Sequence, residues 1–330
     1  MRSAITLLVC GAAALAATVP LEILPKRQAD PSKVGYLAAY WKTSESGIFF
    51  ALSDNANPLA FTEINGGSPI FVPTVGQKVA RDISIISPEG DASKYYIVAT
   101  DLNIDSYPSW EAASANGSKA IMIWDSTDLV TWSNERLITV EDETAGMAWA
   151  PDAIWDAAAG QYMVHWAAQL YAEDDTSHSN GAVTTALMRY AHTSDFQTFT
   201  APTTYFEVPD DSGVIDLAFL KISDTSYARF YKTGVIVSEV GNDGLFGDFE
   251  PVGGTIPNFE GPYAFWDNTN DDQAFLIADR LGGAAGIGGY GPADPTTGMW
   301  VEDTSVDISF MRHGSVVAVT QEQYDALSAL

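Results

Sequence analysis

Short strand-like segments recur along this chain with almost no helical periodicity between them, and that pattern leaves few folds open. Residues 36–41, 48–52, 95–100, 120–124, 162–166, 186–190, 227–231, 274–278 and 315–319 are rich in aromatic and β-branched side chains and bounded by Gly, Asp, Asn and Pro clusters. That is the signature of strands separated by tight turns, and it predicts an all-β protein. No Pro/Ser/Thr tract or low-complexity run interrupts the pattern after about residue 35, so the strands are expected to form a single domain over 28–330.

A weak internal repeat points to radial architecture. Three times a strand runs into a Ser/Thr-Asp turn and then an aromatic residue followed by a polar one: Ser53-Asp54 before Phe61-Thr62, Thr127-Asp128 before Trp132-Ser133, and Ser194-Asp195 before Phe199-Thr200. Phe61, Trp132 and Phe199 are 71 and 67 residues apart, longer than the ~40–50 residues of common propeller repeats, so each unit is read as a four-stranded blade with insertions. Five anchors extend the series: Asp82, Trp149-Ala-Pro-Asp152, Asp216, Glu260-Gly-Pro262 and Arg312-His313-Gly314 come at intervals of 70, 64, 44 and 53 residues, and a strand pattern follows each. Five anchors predict a five-bladed β-propeller. Too little chain follows the last anchor for a full blade, so the N-terminal strands at 36–62 are expected to complete it and close the ring.

The ends and the charge narrow the setting. Met1-Arg2, an apolar run over 4–17 and small residues at its end read as a secretory signal (1–17), with Lys26-Arg27 closing a short pro-segment (18–27). The run is too short to span a bilayer. The one cysteine, Cys10, falls inside that signal, which removes disulfides, thiol nucleophiles and thiolate metal ligands from the mature chain. With 43 acidic against 16 basic residues the net charge is −27, a surface that repels nucleic acid and anionic membranes and suits a neutral substrate. Asn116-Gly117-Ser118 is a sequon that fits a surface glycan at Asn116.

Asp82, Asp216 and Glu260 carry the chemistry. Each stands beside an apolar strand of a different unit, and carboxylates so placed converge on the axis of a radial fold, where a cluster of them can hydrolyse glycosides. A single Asp in such a place is more often a cap, but three in matching contexts point to one shared site. Among the other side chains, Trp41, Trp149, Trp155 and Trp166 offer flat faces for sugars or for blade packing. His165, His178 and His192 read as structural or solvated. The glycines at 282–289 lack the Lys-Ser/Thr of a phosphate loop and read as a flexible loop at the pocket rim.

Taken in order, Arg81-Asp82-Ile-Ser-Ile, Lys94-Tyr-Tyr-Ile-Val-Ala-Thr-Asp101, Thr144-Ala-Gly-Met-Ala-Trp-Ala-Pro-Asp152, Val214-Ile-Asp216, Glu260-Gly-Pro262 and Arg312-His-Gly-Ser-Val316 resemble glycoside hydrolase family 43. The resemblance runs from about Tyr36 to the C-terminus. It implies an inverting mechanism on plant cell-wall polysaccharide, with Asp82 as general base, Glu260 as general acid, and Asp216 as the carboxylate that orients the acid and raises its pKa. It also implies substrate contacts from Trp149, Asp152, His313 and Arg312, with His313 near the propeller axis. Two departures stand out: Ile83 replaces the proline usual after the base, and Tyr231-Lys-Thr-Gly234 replaces a Lys-Asp-Glu segment.

The expected protein is therefore a secreted, monomeric glycosidase of the α-L-arabinofuranosidase type, acting on oligo- or polysaccharide. It requires no cofactor, and no residue spacing defines a metal site, although relatives hold a cation such as calcium on the axis. β-Xylosidase, endo-arabinanase and galactan-directed exo-enzyme remain open within the enzyme class, and a non-catalytic sugar-binding propeller outside it.

Overall fold

The computed structural model describes residues 29–90, 92–209, 212–281 and 286–330. The expected signal, pro-segment and Cys10 lie outside these residues. The described chain forms five antiparallel sheets. In chain order, β1 (Lys33–Trp41), β2 (Phe49–Asp54) and β3 (Asn57–Glu63) come first, followed by β4 (Ala80–Ile86), β5 (Tyr95–Asp101), α1 (Trp110–Asn116), β6 (Ala120–Ser126) and β7 (Ser133–Thr139). The third sheet holds β8 (Trp149–Asp156), β9 (Gln161–Ala168), β10 (Leu187–Thr193) and β11 (Thr203–Phe206). The fourth holds β12 (Ile215–Lys221), β13 (Tyr227–Thr233), β14 (Val235–Gly241) and β15 (Phe249–Pro251), and the fifth β16 (Phe259–Trp266), β17 (Ala274–Arg280) and β18 (Ile287–Ala293). The chain ends with β19 (Arg312–Thr320) and α2 (Gln321–Ser328).

These sheets are the blades of a five-bladed propeller. Strands β4, β8, β12, β16 and β19 are innermost, and each touches the next around the ring. The closure expected from the sequence is present: β19 pairs along its length with β1, with Tyr36 opposite Ala318 and Ala38 opposite Val316, and the sheet continues through β2 to β3. One blade departs from the expected four strands, since β16–β18 has three among the described residues, with residues 302 and 308 bridging to β18 only at isolated points.

Hydrophobic side chains fill the gaps between neighbouring blades rather than a single central core. Tyr96, Tyr162, Trp166 and Phe196 lie between the second and third blades, Tyr36, Phe49, Phe61 and Phe265 between the first and fifth. Each fully buried aromatic of this kind contributes ~2–3 kcal/mol of burial. The sequence repeat is the turn from third to fourth strand of three blades. There Asp54, Asp128 and Asp195 each accept backbone N–H groups from residues two and three positions on, at 2.7–2.9 Å. The acidic composition is thus partly turn chemistry.

The glycine segment differs from its expectation. Residues 282–285 lie outside the described part, while Gly288 and Gly289 belong to β18 instead of a loop. A Cβ on Gly288 would meet the Phe259 ring at 2.9 Å, so glycine there serves close packing.

Candidate active site

Every innermost strand carries the same irregularity. Arg81 faces Thr100 and Ser84 faces Val98, so three steps along β4 match two along β5. The same extra residue occurs between Trp149 and Asp152, Ile215 and Ala218, Glu260 and Tyr263, and Arg312 and Ser315. Such a bulge re-aims a side chain out of the strand's alternation. Asp82, Ala150, Asp216 and Gly261 occupy the bulge in their strands with φ between 46° and 58°, a region Asp and Gly tolerate better than most residues. Triplets 82–84, 150–152, 216–218, 261–263 and 313–315 together line a narrow axial cavity of about 30 Å³. Asp82 and Asp216 are therefore within strands, where the sequence reading put them just ahead of strands. The bulge hides the alternation that would have marked those strands.

Ile83 and Leu217 stand where Pro151 and Pro262 follow the bulge in two other blades, yet the bulge residue has the same positive φ in all four. The loss of proline after Asp82 leaves its placement intact.

His313 joins the two aspartates. Its Nδ1 lies 2.7 Å from Asp82 Oδ1 and its Nε2 3.9 Å from Asp216 Oδ1. The other oxygen of Asp82 accepts a hydrogen bond from Thr100 Oγ1 at 2.7 Å, and that hydroxyl accepts the Ala150 N–H at 2.7 Å. Asp216 Oδ2 accepts the Gly261 N–H at 3.0 Å. Burial would raise the pKa of Asp82, but the His313 charge and hydrogen bond, with Arg81 and Thr100, outweigh it and lower it to about 2. Burial would equally discharge His313, yet Asp82 and Asp216 raise it to about 10. The ring is thus an imidazolium clamped between carboxylates. With both nitrogens turned to those carboxylates and a positive charge, the ring offers no lone pair to an axial cation, and this donor set does not fit one. Among the described residues no group of three or more His, Cys, Asp or Glu is arranged to hold a metal ion.

Glu260 sits one residue before the bulge on β16, beside Asp279 on β17, and is partly exposed. Its pKa is raised, first by burial and then by the Asp216 charge, with His313 and Lys232 opposing. Asp216 is raised as well, mainly by burial, with Asp82 adding to it against His313. Asp82, Asp216 and Glu260 thus share one electrostatic environment around His313. This arrangement holds one carboxylate ionised and keeps another, the partly exposed Glu260, receptive to a proton.

The remaining candidates divide. Arg312 is committed, its Nε donating to Asp279 at 2.7 Å and its Nη1 to Thr43 at 3.3 Å. Asp152 is buried on the axis two residues past the bulge, bonded to the Ser84 hydroxyl and the Ala153 N–H. Burial raises its pKa to about 6. Trp149 is partly exposed and meets Trp110 edge-on at 6.0 Å. Trp166 is fully buried with its indole N–H on Glu141, and Trp155 packs edge-on against Tyr162 by a second cavity that opens beyond Asp152. His165 is buried and held neutral by burial, which lowers it to about 3, while His192 faces Asp156 at 2.9 Å. His178 lies against the carbonyls of Ala115 and Glu143. Asn116 is exposed at the end of α1.

Sequence reasoning missed Thr100, Lys232, Arg81 and Trp110. Thr100 and Lys232 occupy matching places, opposite the residue before the bulge in their blades. Lys232 belongs to the segment 231–234 that departs from the family pattern, and it supplies a positive charge to Asp216 and Glu260. The recurring offset from each anchor was the signal that could have found them.

Five blades closed around an axial cluster of carboxylates define a propeller of the glycoside hydrolase type. The chain belongs to the glycoside hydrolase family 43-related family, described as a probable glycosyl hydrolase domain, whose profile matches residues 31–325. It is similar to an α-L-arabinofuranosidase of Bifidobacterium longum subsp. longum, 29% identical over 255 residues that make up 72% of this chain and 22% of that protein. The chain therefore spans less than a quarter of that curated relative's length. In fold it is similar to a thermostable family-43 glycoside hydrolase, with a TM-score of 0.52 and 16% identity over 74% of this chain and 81% of that one. An α-L-arabinofuranosidase from Lactobacillus brevis aligns with a TM-score of 0.47 and 17% identity, over 73% and 74% of the two chains.

Proposed function

We propose that this chain is a secreted glycosidase that hydrolyses its substrate with inversion, releasing α-L-arabinofuranosyl units from cell-wall polysaccharide. The observation that carries the reading is the placement of Asp82 and Asp216 on either side of His313, with Glu260, next to Gly261, under the charges of Asp216 and His313 and its carboxyl displaced opposite to that of Asp82. In this reading Asp82, ionised at every working pH, orients and deprotonates the attacking water. Glu260, its proton held by burial and by Asp216, protonates the departing oxygen. Asp216 acts on Glu260 through its charge, fixed by the Gly261 N–H. The similarity to the Bifidobacterium arabinofuranosidase supports arabinofuranosyl as the released sugar. The leader at 1–17 supports secretion, and hydrolysis by this carboxylate set requires no organic cofactor.

One observation favours a second reading, a sugar-binding propeller without turnover. Asp82 has one oxygen 2.7 Å from His313 and the other bonded to Thr100 at 2.7 Å, partners that hold its pKa low and weaken it as a base, since general bases work best near the operating pH. Incubation with 4-nitrophenyl α-L-arabinofuranoside and β-D-xyloside, followed by NMR of the first-formed sugar, decides between them. Inverted product from the arabinofuranoside is expected. Retained configuration overturns the mechanism, faster xyloside cleavage overturns the sugar, and binding without release selects the second reading.

A further inference from the structure

Beside the axial site, Arg81 stands among tryptophan rings. Arg81 stands one residue before Asp82, and its guanidinium carbon lies 4.2 Å from the Trp41 ring centre and 5.2 Å from that of Trp110. Trp41 ends β1, Trp110 opens α1, and Trp149 closes the group edge-on against Trp110. Trp110 is 50% exposed, an unusual position for an indole in a chain that buries most of its aromatics. Its helix is anchored, with Ser109 capping the Ala112 N–H and His178 bound to the Ala115 carbonyl. The exposed ring is thus a held surface.

The group is rich in donors and short of acceptors. Arg81 is partly exposed and, among the described residues, forms no hydrogen bond or ion pair, although the chain has 43 acidic residues against 16 basic ones. The neighbouring Arg312, 5.3 Å from the Trp41 ring, has Asp279. The indole N–H groups of Trp41 and Trp149 are buried without an acceptor. A guanidinium stacked by indoles keeps its in-plane N–H fork free, and that fork matches a carboxylate in two-point contact.

We propose that Arg81, flanked by Trp41 and Trp110, is the receptor for a carboxylate on the substrate, so that the site takes an oligosaccharide carrying a uronate unit in preference to its neutral counterpart. The proposal rests on the glycosidase reading for its direction. The unit to be cleaved enters toward Asp82 and Glu260, the neighbouring sugar stacks on Trp110, and its uronate pairs with Arg81. Although the overall charge of −27 disfavours extended polyanions, a single uronate meets Arg81 at contact distance, where salt screens the pair least, while surface charges more than a Debye length away are largely screened.

The test uses a matched pair: an arabinofuranosylated xylo-oligosaccharide bearing one glucuronate unit, and the same compound after reduction of the carboxyl to the neutral alcohol. For the full chain, kcat/KM is expected to favour the acidic form about tenfold, carried by KM, as one charge-assisted two-point contact would give. The preference should shrink with added salt. Because Arg81 also acts on Asp82, the quantity read in Arg81→Gln and Trp110→Ala is the ratio between the two substrates, which cancels any shared loss of turnover. The ratio should fall to about one in Arg81→Gln, and both substrates should weaken in Trp110→Ala. Hydrolysis of both forms with a ratio of one or less in the unaltered chain overturns the uronate receptor and leaves the glycosidase reading standing. If neither form is hydrolysed, the glycosidase reading fails, and calorimetric titration of the same pair still reads the receptor. Tighter binding of the acidic form then supports it, while equal or absent binding overturns it.

Discussion

His313 and Asp82 are joined at 2.7 Å across the closure of the ring, one on the first innermost strand of the chain and the other on the last. Their ionisation ties the site's electrostatics to the fold. The Asp82 carboxyl is lowered from 3.8 to about 2, so its contribution to stability is present above 3.8 and lost as pH falls through 2. The His313 ring is raised from 6.5 to about 10, so its contribution is present below 6.5 and lost as pH rises through 10. Both are complete between pH 3.8 and 6.5. His313→Ala leaves a buried carboxylate without its partner, and about 3–5 kcal/mol of stability should disappear at pH 5. Urea unfolding checks this. Equal midpoints for the two proteins, or a difference that widens above pH 10, contradict the pair's role.

The pH dependence of turnover follows from the two displaced carboxyls. On the proposed roles, activity needs Asp82 ionised, which holds above about 2, and Glu260 protonated, which fails as pH rises through its elevated pKa. The alkaline limb of kcat/KM therefore belongs to Glu260. Burial is the larger cause of its elevation and Asp216 the next, so Asp216→Asn should move that limb to lower pH while the acid limb stays in place. A limb that does not move, or moves up, removes Asp216 from its assigned role.

Gly261 is required by geometry. Its φ is 54°, and a Cβ placed there would lie 2.0 Å from His313 Cδ2 and 2.1 Å from Nε2. Gly261→Ala must displace the imidazolium and disturb the N–H that holds Asp216. A loss of ~1–3 kcal/mol from the backbone alone is expected, with turnover reduced by at least tenfold through the misplaced ring. Calorimetry and kinetics on the soluble variant check both. A variant with native turnover shows that the His313 position is dispensable.

The positions of the anchors were legible because they recur, and the ring closure because the C-terminus was short of strands. The nine segments picked from the sequence all became strands. Innermost β4, β8, β12 and β16 were harder to see, since each bulge breaks the period-two alternation on which strand reading depends. Outer strands such as β7, with exposed Ser133 and Asn134, carry little apolar pattern at all. In the site, the carboxylates were visible because Asp and Glu beside apolar strands are conspicuous. Thr100 and Lys232 were not, because their role comes from cross-strand register, and register is set by the bulge.

The carboxylates at the axis differ in their surroundings. On the proposed roles Glu260→Gln removes the proton donor and Asp82→Asn the base, and each should lower kcat by ~10²–10⁴-fold without loss of the fold. Asp152 shares the axis but not the role. Its carboxyl is buried, holds the Ser84 hydroxyl and the Ala153 N–H, and is raised from 3.8 to about 6 because burial penalises its charge. The sign is opposite to that of Asp82: the folded chain binds the Asp152 proton more tightly than the unfolded chain, so stability falls as pH rises from 3.8 to 6 and stays lower above it. The displacement corresponds to a cost of about 3 kcal/mol near neutrality. Asparagine keeps the shape and one acceptor while removing that charge. Asp152→Asn should therefore retain most of the turnover and raise the melting temperature at pH 7.5 more than at pH 4.5. A variant as inactive as Glu260→Gln would place Asp152 among the reacting groups, and a lower melting temperature at pH 7.5 would mean that its charge is compensated within the fold.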